Sequence, residues 1–286
     1  MRRVVITGAG TVNALAQDVA GTFAAFREGR GAIGPLDIPD ADRLGVRIAA
    51  QVRDWDPQAH FDRQTIALCD RFTQFALVAG AEAMAQAGLA AGAVPPEDAG
   101  VVMGTAGGGV TTWDDSYRAV YAEGRNRVHP FVVPRLMNNA AASHLAMAWQ
   151  LRGPALSIAT ACASGNHALG LAFQMIRSGM ARMMLAGGSE AMLCLGGIKA
   201  WEGLRVMAQD ACRPFSADRS GMVQGEGAAV FVLEDRDHAR ARGADILAEV
   251  AGFAMTSDAS DIVLPTVDGP ARAIAGCLRD AGLAPE

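Results

Sequence analysis

Short, near-continuous apolar runs alternate along this chain with stretches whose apolar positions recur at about 3.6 residues. Residues 4–7 form a short β-branched run stopped by Gly8-Ala9-Gly10, which predicts a strand ending in a tight turn. Residues 18–28 read as a helix, and the glycine- and proline-bearing stretch 29–39 as a loop. Residues 65–88 predict one longer helix. Phe72, Phe75, Ala76 and Ala79 recur there at helical spacing, and Gly88 marks the end. Val101-Val102-Met103 predicts a buried strand running into Gly104 and Gly107-Gly108-Gly109.

The middle of the chain has the clearest pattern. Residues 156–160 predict a strand, and 165–178 a helix burying Leu169, Ala172, Phe173 and Ile176. Residues 183–186 predict the next strand, stopped by Gly187-Gly188. A strand–helix–strand unit of this size implies parallel strands and a right-handed crossover. Residues 228–233 predict another strand, followed by a charged helix over about 235–242. Near-continuous apolar strands alternating with helices indicate an α/β layered fold.

Composition narrows the function classes. At 286 residues the chain is long enough for one large domain or two ordinary ones. It is 51% hydrophobic and 19% charged, so a sizeable core is expected and wholesale disorder is not. A net charge of −5 argues against a general nucleic-acid binder. The five cysteines, at 69, 162, 194, 212 and 277, are odd in number and contain no C-x-x-C pair. That spacing disfavours a disulfide framework or a structural zinc and fits a reducing, cytoplasmic compartment. No apolar run is long enough to predict a transmembrane helix, and the apolar start is too short for a signal peptide.

Three constellations could carry chemistry. Gly8-x-Gly10 after a strand is the start of a dinucleotide fingerprint, but Asn13 stands where the third glycine belongs and Glu28 lies in a helical pattern. A turn is the better reading. The second is Thr160-Ala161-Cys162-Ala163-Ser164-Gly165-Asn166-His167, with Cys162 between a buried strand and a helix. A strand-to-helix elbow projects a side chain sharply, and a helix N-terminus favours the thiolate, the nucleophilic form of cysteine. Small neighbours, Ala161, Ala163 and Gly165, leave room for a substrate to reach the sulfur. His167 lies about 140° around the helix from Cys162, so it reads as a packed, hydrogen-bonded histidine and not as the base. The remaining histidines have no informative sequence context, and the other four cysteines read as small buried hydrophobes. The third constellation runs from Arg213-Pro214-Phe215-Ser216-Ala217-Asp218 to Gly225-Glu226-Gly227. Arg–Asp pairing that pins a loop explains it better than catalysis.

Seven stretches in this order resemble the beta-ketoacyl-[acyl-carrier-protein] synthases, the type II condensing enzymes, and among them the nodulation-type members. They are VVITGAG at 4–10, DRFTQFA at 70–76, GTAGGG at 104–109, GPALSIATACASGNHALG at 153–170, AGGSEAM at 186–192, CRPFSADRSGMVQGEGAAVFVLED at 212–235 and SDASDIVLP at 257–265. The resemblance implies a thiolase-like layered fold, α-β-α-β-α, built from two similar halves in a homodimer. Residues 1–245 would be the nucleophile half and 246–286 the start of the second. It implies that Cys162 takes an acyl chain from the phosphopantetheine arm of acyl carrier protein, and that no cofactor of the enzyme's own is needed. The chain then passes to the carbanion formed by decarboxylating malonyl-carrier protein. The N–H of Cys162 would belong to the oxyanion hole. By position in the motifs, Gly197 and Trp201 would line the acyl pocket and Arg205 would meet the acidic carrier protein. Trp201 stands where family members usually have phenylalanine, so the family's chain-length preference does not carry over, and Trp201 is expected to limit pocket depth.

The family's catalytic histidines, a lysine and a glycine-rich gate lie in the final third of its members. This chain ends at Ala284-Pro285-Glu286, where the first histidine motif would begin, so the expectation is a chain truncated before them. The rival reading is a catalytically incomplete or non-catalytic acyl-binding partner subunit, although the presence of Cys162 favours enzyme ancestry. Thiolase-like chemistry on coenzyme A thioesters is disfavoured by the CRPFSADR block, and a serine hydrolase by the lack of a G-x-S-x-G elbow.

Overall fold

The structure is a computed structural model and describes residues 1–285. Its elements, in chain order, begin with β1 (Val4–Asn13), α1 (Val19–Arg27), β2 (Gly34–Pro35), β3 (Ile48–Ala49), α2 (Arg63–Leu68) and α3 (Arg71–Gln86). Next come β4 (Ala99–Gly104), α4 (Val110–Tyr117), α5 (Val132–Leu136), α6 (Ala140–Trp149), β5 (Ala155–Ile158) and α7 (Ser164–Arg177). The rest are β6 (Met183–Glu190), α8 (Leu195–Gly203), β7 (Gly227–Asp235), α9 (Arg236–Ala241), β8 (Ala248–Val250) and α10 (Asp268–Ala281).

Six strands form one mixed sheet in the order β5-β4-β6-β7-β1-β8, and β2 and β3 pair separately. β5, β4 and β6 are parallel, and β7 runs antiparallel to both β6 and β1. The strands β1, β4, β5 and β6 therefore all end on the same side of the sheet. β8, assigned from the sequence to the second half, pairs antiparallel with Val4–Ile6 of β1.

Alternation within each strand sorts side chains to two cores. Val101 and Met103 of β4, Met183 and Leu185 of β6, and Val230 and Val232 of β7 join Phe72, Phe75 and Ala79 of α3 and Leu145 of α6. Val102, Met184, Ala186 and Leu233 face the other way and join Ala172, Phe173 and Ile176 of α7. The core is thus helix, sheet, helix. Phe173 and Ile176 are fully buried as expected, and Leu169 packs at the margin.

Three expectations need correction. The strand expected to stop at Gly187-Gly188 runs on through both glycines to Glu190 as β6. Gly8 and Gly10 do not make a turn: β1 runs straight through them to Asn13. Their reason is close packing. A Cβ on Gly8 would stand 2.1 Å from the Ala83 carbonyl oxygen, and one on Gly10 would stand 1.9 Å from that of Ala79. Helix α3 lies with its backbone against the strand, and only glycine leaves room for it. The helix expected over 65–88 is two helices. Asp70 has extended backbone and caps α3, accepting from the Phe72 N–H at 3.2 Å, while the backbone at Cys69 ends α2.

At the far end of the sheet Thr7 forms a bulge between Ile6 and Gly8. Its hydroxyl donates to Glu234, which is fully buried and also takes Arg242 through Nε at 3.0 Å and Nη2 at 2.5 Å, and His238 Nδ1 at 2.8 Å. Burial works to raise this carboxyl, but Arg242, Thr7 and His238 hold it below its ordinary range. His238 is therefore part of a charge knot. His144 likewise has a partner, Cys69, whose Sγ lies 3.6 Å from its Nδ1, and His60 stacks on Trp55.

Candidate active site

Cys162 lies in a five-residue elbow between β5 and α7. The backbone of Ala161 is left-handed, with φ of +51°, a region that non-glycine residues seldom occupy. Ser164, buried in the first turn of α7, donates from Oγ to the Ala161 carbonyl at 2.6 Å and accepts the Thr160 N–H at 2.8 Å. The turn pushes Cys162 outward, and its side chain is exposed. The Cys162 N–H makes no hydrogen bond among the described residues, while those of Ala163 and Ser164 close back on Thr160 and Ala161.

Glycines let the start of α7 sit on the sheet. A Cβ on Gly104, at the end of β4, would lie 2.3 Å from the Ser164 backbone, and one on Gly188 of β6 would lie 3.2 Å from the Cα of Gly165. Gly165 therefore has a second role, packing against the sheet, besides the substrate access expected of it.

A cleft of about 540 Å³ opens over the strand ends, with Cys162, Trp201, Met192, Glu190 and Glu226 on its walls. A crevice at the carboxyl ends of parallel strands is the usual ligand site of open α/β sheets. No histidine lines it among the described residues. His167 points elsewhere, its Nδ1 2.8 Å from Thr160 Oγ1 and its ring edge-on to Phe253.

The other expected site residues separate. Trp201 of α8 shares the cleft with Cys162. Gly197 stands behind it: a Cβ there would be 2.4 Å from the carbonyl oxygen of Met192, which does border the cleft. Arg205 is exposed just beyond α8, in a surface depression with Glu202 and Met207.

Two acids in the cleft were not assigned to it from the sequence. Glu190 ends β6 and accepts from the Ala106 N–H at 2.6 Å, the Gly107 N–H at 3.3 Å and Thr105 Oγ1 at 3.2 Å. Burial raises its carboxyl, and those donors only partly offset the rise. Glu226 is held by Arg71 through Nε at 2.9 Å and Nη2 at 2.8 Å, and accepts the Val52 N–H at 3.0 Å. The glycine-flanked acid is thus ion-paired on the cleft wall. Arg213 pairs with Asp210 at 2.9 Å and Asp218 at 3.2 Å, the loop-pinning role expected for it.

Comparison with known proteins agrees with this geometry. The family model for the beta-ketoacyl synthase N-terminal domain matches residues 1–239. Nodulation protein E of Rhizobium leguminosarum bv. trifolii is 44% identical over 285 residues, which cover 100% of this chain and 71% of that protein. The 3-oxoacyl-[acyl-carrier-protein] synthase 2 of Synechocystis sp. is 36% identical, over 100% of this chain and 70% of that protein. A solved type II PKS acyl-carrier protein in complex with its ketosynthase matches with a TM-score of 0.84 at 28% identity, over 99% of this chain and 71% of that chain. The fold is that of the ketosynthases, the thiolase-like class expected from the sequence. On this agreement of family model, full-length relatives and fold, the chain belongs to the beta-ketoacyl synthase family.

Proposed function

We propose that this chain carries the acyl-accepting step of a 3-oxoacyl-[acyl-carrier-protein] synthase, with Cys162 as the nucleophile. The observation that carries the reading is the elbow itself: an exposed thiol and, among the described residues, an unpaired backbone N–H on one residue, beside a cleft of about 540 Å³ that Trp201 also lines. The thiolate of Cys162 attacks the thioester carbonyl of an acyl-carrier protein. A carbon–sulfur bond to Cys162 forms, the bond to the phosphopantetheine sulfur breaks, and the released thiol takes up the proton. The Cys162 N–H faces the carbonyl oxygen as charge develops on it. In the condensation that follows, malonyl-carrier protein loses carbon dioxide, and the electron pair left on its α-carbon attacks the Cys162 thioester. Cys162 is expelled and a 3-oxoacyl-carrier protein is formed. That half-reaction needs donors for the enolate oxygen, and the cleft offers no histidine among the described residues.

The phosphopantetheine arrives on the carrier protein, so no resident cofactor is part of this reading. Arg205, exposed beside the cleft-bearing helix α8, is the contact we assign to the acidic carrier protein. We further read the protein as a cytoplasmic homodimer, its fatty-acid-type chemistry shared with lipid or polyketide pathways. No described helix is long and apolar enough to cross a membrane.

The test is incubation of the 286-residue chain with acyl-carrier protein, followed by intact mass, with and without malonyl-carrier protein. An acyl adduct that maps to Cys162 and disappears in Cys162→Ala supports the reading. An adduct that persists in Cys162→Ala moves the nucleophile elsewhere. A ketoacyl product would show that residues within this chain also activate the malonyl group.

A further inference from the structure

We infer that Ser164 and Thr160 are positioning residues for acyl transfer, and that the Ser164 hydroxyl fixes the orientation of Cys162. The inference rests on the reading of Cys162 as acyl acceptor.

Ala161 occupies the left-handed region with a Cβ and no polar side-chain atom to stabilise itself there. Something else must hold it. One oxygen does so on both sides: Ser164 Oγ gives its proton to the Ala161 carbonyl at 2.6 Å and takes the Thr160 N–H at 2.8 Å. That oxygen is itself anchored. Ser164 is buried at 3% exposure, and the glycines at 104, 165 and 188 press its backbone onto the ends of β4 and β6. A second tie continues outward. Thr160 Oγ1 meets His167 Nδ1 at 2.8 Å, and the His167 ring abuts Phe253 edge-on, with centroids 6.4 Å apart. The strained residue immediately before Cys162 is therefore clamped from the sheet side and from the helix side.

The clamp matters because acyl transfer makes two demands on one residue. Sulfur must reach the carbonyl carbon while the Cys162 N–H reaches the carbonyl oxygen. Both directions are set by the peptide units on either side of Ala161. A small alkylating reagent makes only the first demand. Loss of the clamp should therefore separate the two reactions, which a general loss of structure would not do.

The experiment compares the parent chain with Ser164→Ala, Thr160→Val and Thr160→Ser. Acylation of Cys162 by octanoyl- and palmitoyl-carrier protein is timed by intact mass, alkylation by iodoacetamide is timed by peptide mapping, and a melting curve is recorded for each variant. Ser164→Ala is expected to slow acylation on the order of 10–100-fold while alkylation of Cys162 changes by less than about 3-fold. Thr160→Val is expected to slow acylation by about 3–10-fold, and Thr160→Ser, which keeps the hydroxyl, to restore it. Acylation of Ser164→Ala at the parental rate overturns the inference. If Ser164→Ala shows no cooperative melting, the Thr160 pair decides, and equal rates for Thr160→Val and the parent overturn it. A parent chain with no adduct on Cys162 removes the acyl-acceptor reading, and this inference with it, before any variant is made.

Discussion

Two buried carboxylates at opposite ends of the central sheet, Glu234 and Glu190, are treated in opposite ways. At the end that holds Thr7 and Glu234, one fully buried carboxylate meets Arg242, His238 and Thr7, so its demand is met by protein donors. At the end that holds Cys162, groups are left partly in want. Among the described residues, Glu190 has backbone and hydroxyl donors but no cation, and the Cys162 N–H has no acceptor. The first arrangement fixes structure, and the second keeps binding capacity in reserve. A buried ion pair contributes little net stability compared with an apolar replacement, but breaking one side of it is costly. An unmet donor on a cleft wall has a use only when a ligand arrives.

The strongest way to break this contrast is at Glu234. Glu234→Ala should lower the unfolding free energy by about 3–5 kcal/mol in a urea titration, because the partly buried Arg242 loses its ion-pair partner and Thr7 and His238 lose their acceptor. The pH dependence sharpens the point. The folded carboxyl of Glu234 lies below its ordinary value, so its stabilisation is fully present above that ordinary value and is lost as pH falls through the lower folded one. Glu190 is shifted the other way, so the folded state binds its proton more readily and that group favours folding as the solution is acidified. Melting temperatures of Glu234→Gln and the parent should therefore converge in acid. Curves that stay parallel would show that the Glu234 carboxylate is not the acid-labile group.

Alkylation probes the cysteines next. Burial pushes the thiols of Cys69 and Cys194 up to about 11, whereas Cys162 and Cys212 are exposed. In an iodoacetamide time course at mildly alkaline pH, Cys162 should label faster than Cys69 and Cys194 by on the order of 100-fold. Cys212, exposed but outside the cleft, is the comparator. If Cys162 does no better than Cys212, its exposure and not its elbow accounts for its reactivity. The smallest effect is expected at Trp201. Trp201→Ala should increase acylation by the longest chain tested by about 10-fold relative to a short one. An unchanged preference would remove Trp201 from the acyl-binding wall.

What the sequence revealed depended on how local each cause was. The first half of β6 was legible as a short continuous apolar run, and the helix at α7 because its apolar positions recur at the helical period. The elbow around Cys162 was legible because it is contained in eight consecutive residues. The α2–α3 break was missed, although an aspartate before an apolar helix is a start signal and Asp70 supplies it. Gly8 and Gly10 were misread because their constraint comes from Ala83 and Ala79, more than sixty residues later. Glu226 is ion-paired on the cleft wall, yet its partner Arg71 lies 155 residues away and no spacing rule could name it. Glu190 had no signal of its own, since its donors belong to the loop after β4.

The contact between α3 and β1 also makes this helix a lever. A sixteen-residue helix is a rod of about 24 Å, and this one rests its Ala79 and Ala83 carbonyls directly on Gly10 and Gly8. A methyl group added at position 10 cannot be absorbed by a side-chain rotation, because the atom it meets is backbone. The rod must tilt as a whole. Its other end carries Arg71, which grips Glu226 on the cleft wall, and Asp70, which accepts the Thr112 N–H at 2.9 Å. A change buried in the sheet would thus be delivered as motion to Glu226 on the cleft wall, through a helix whose seat is two glycines far from it in sequence.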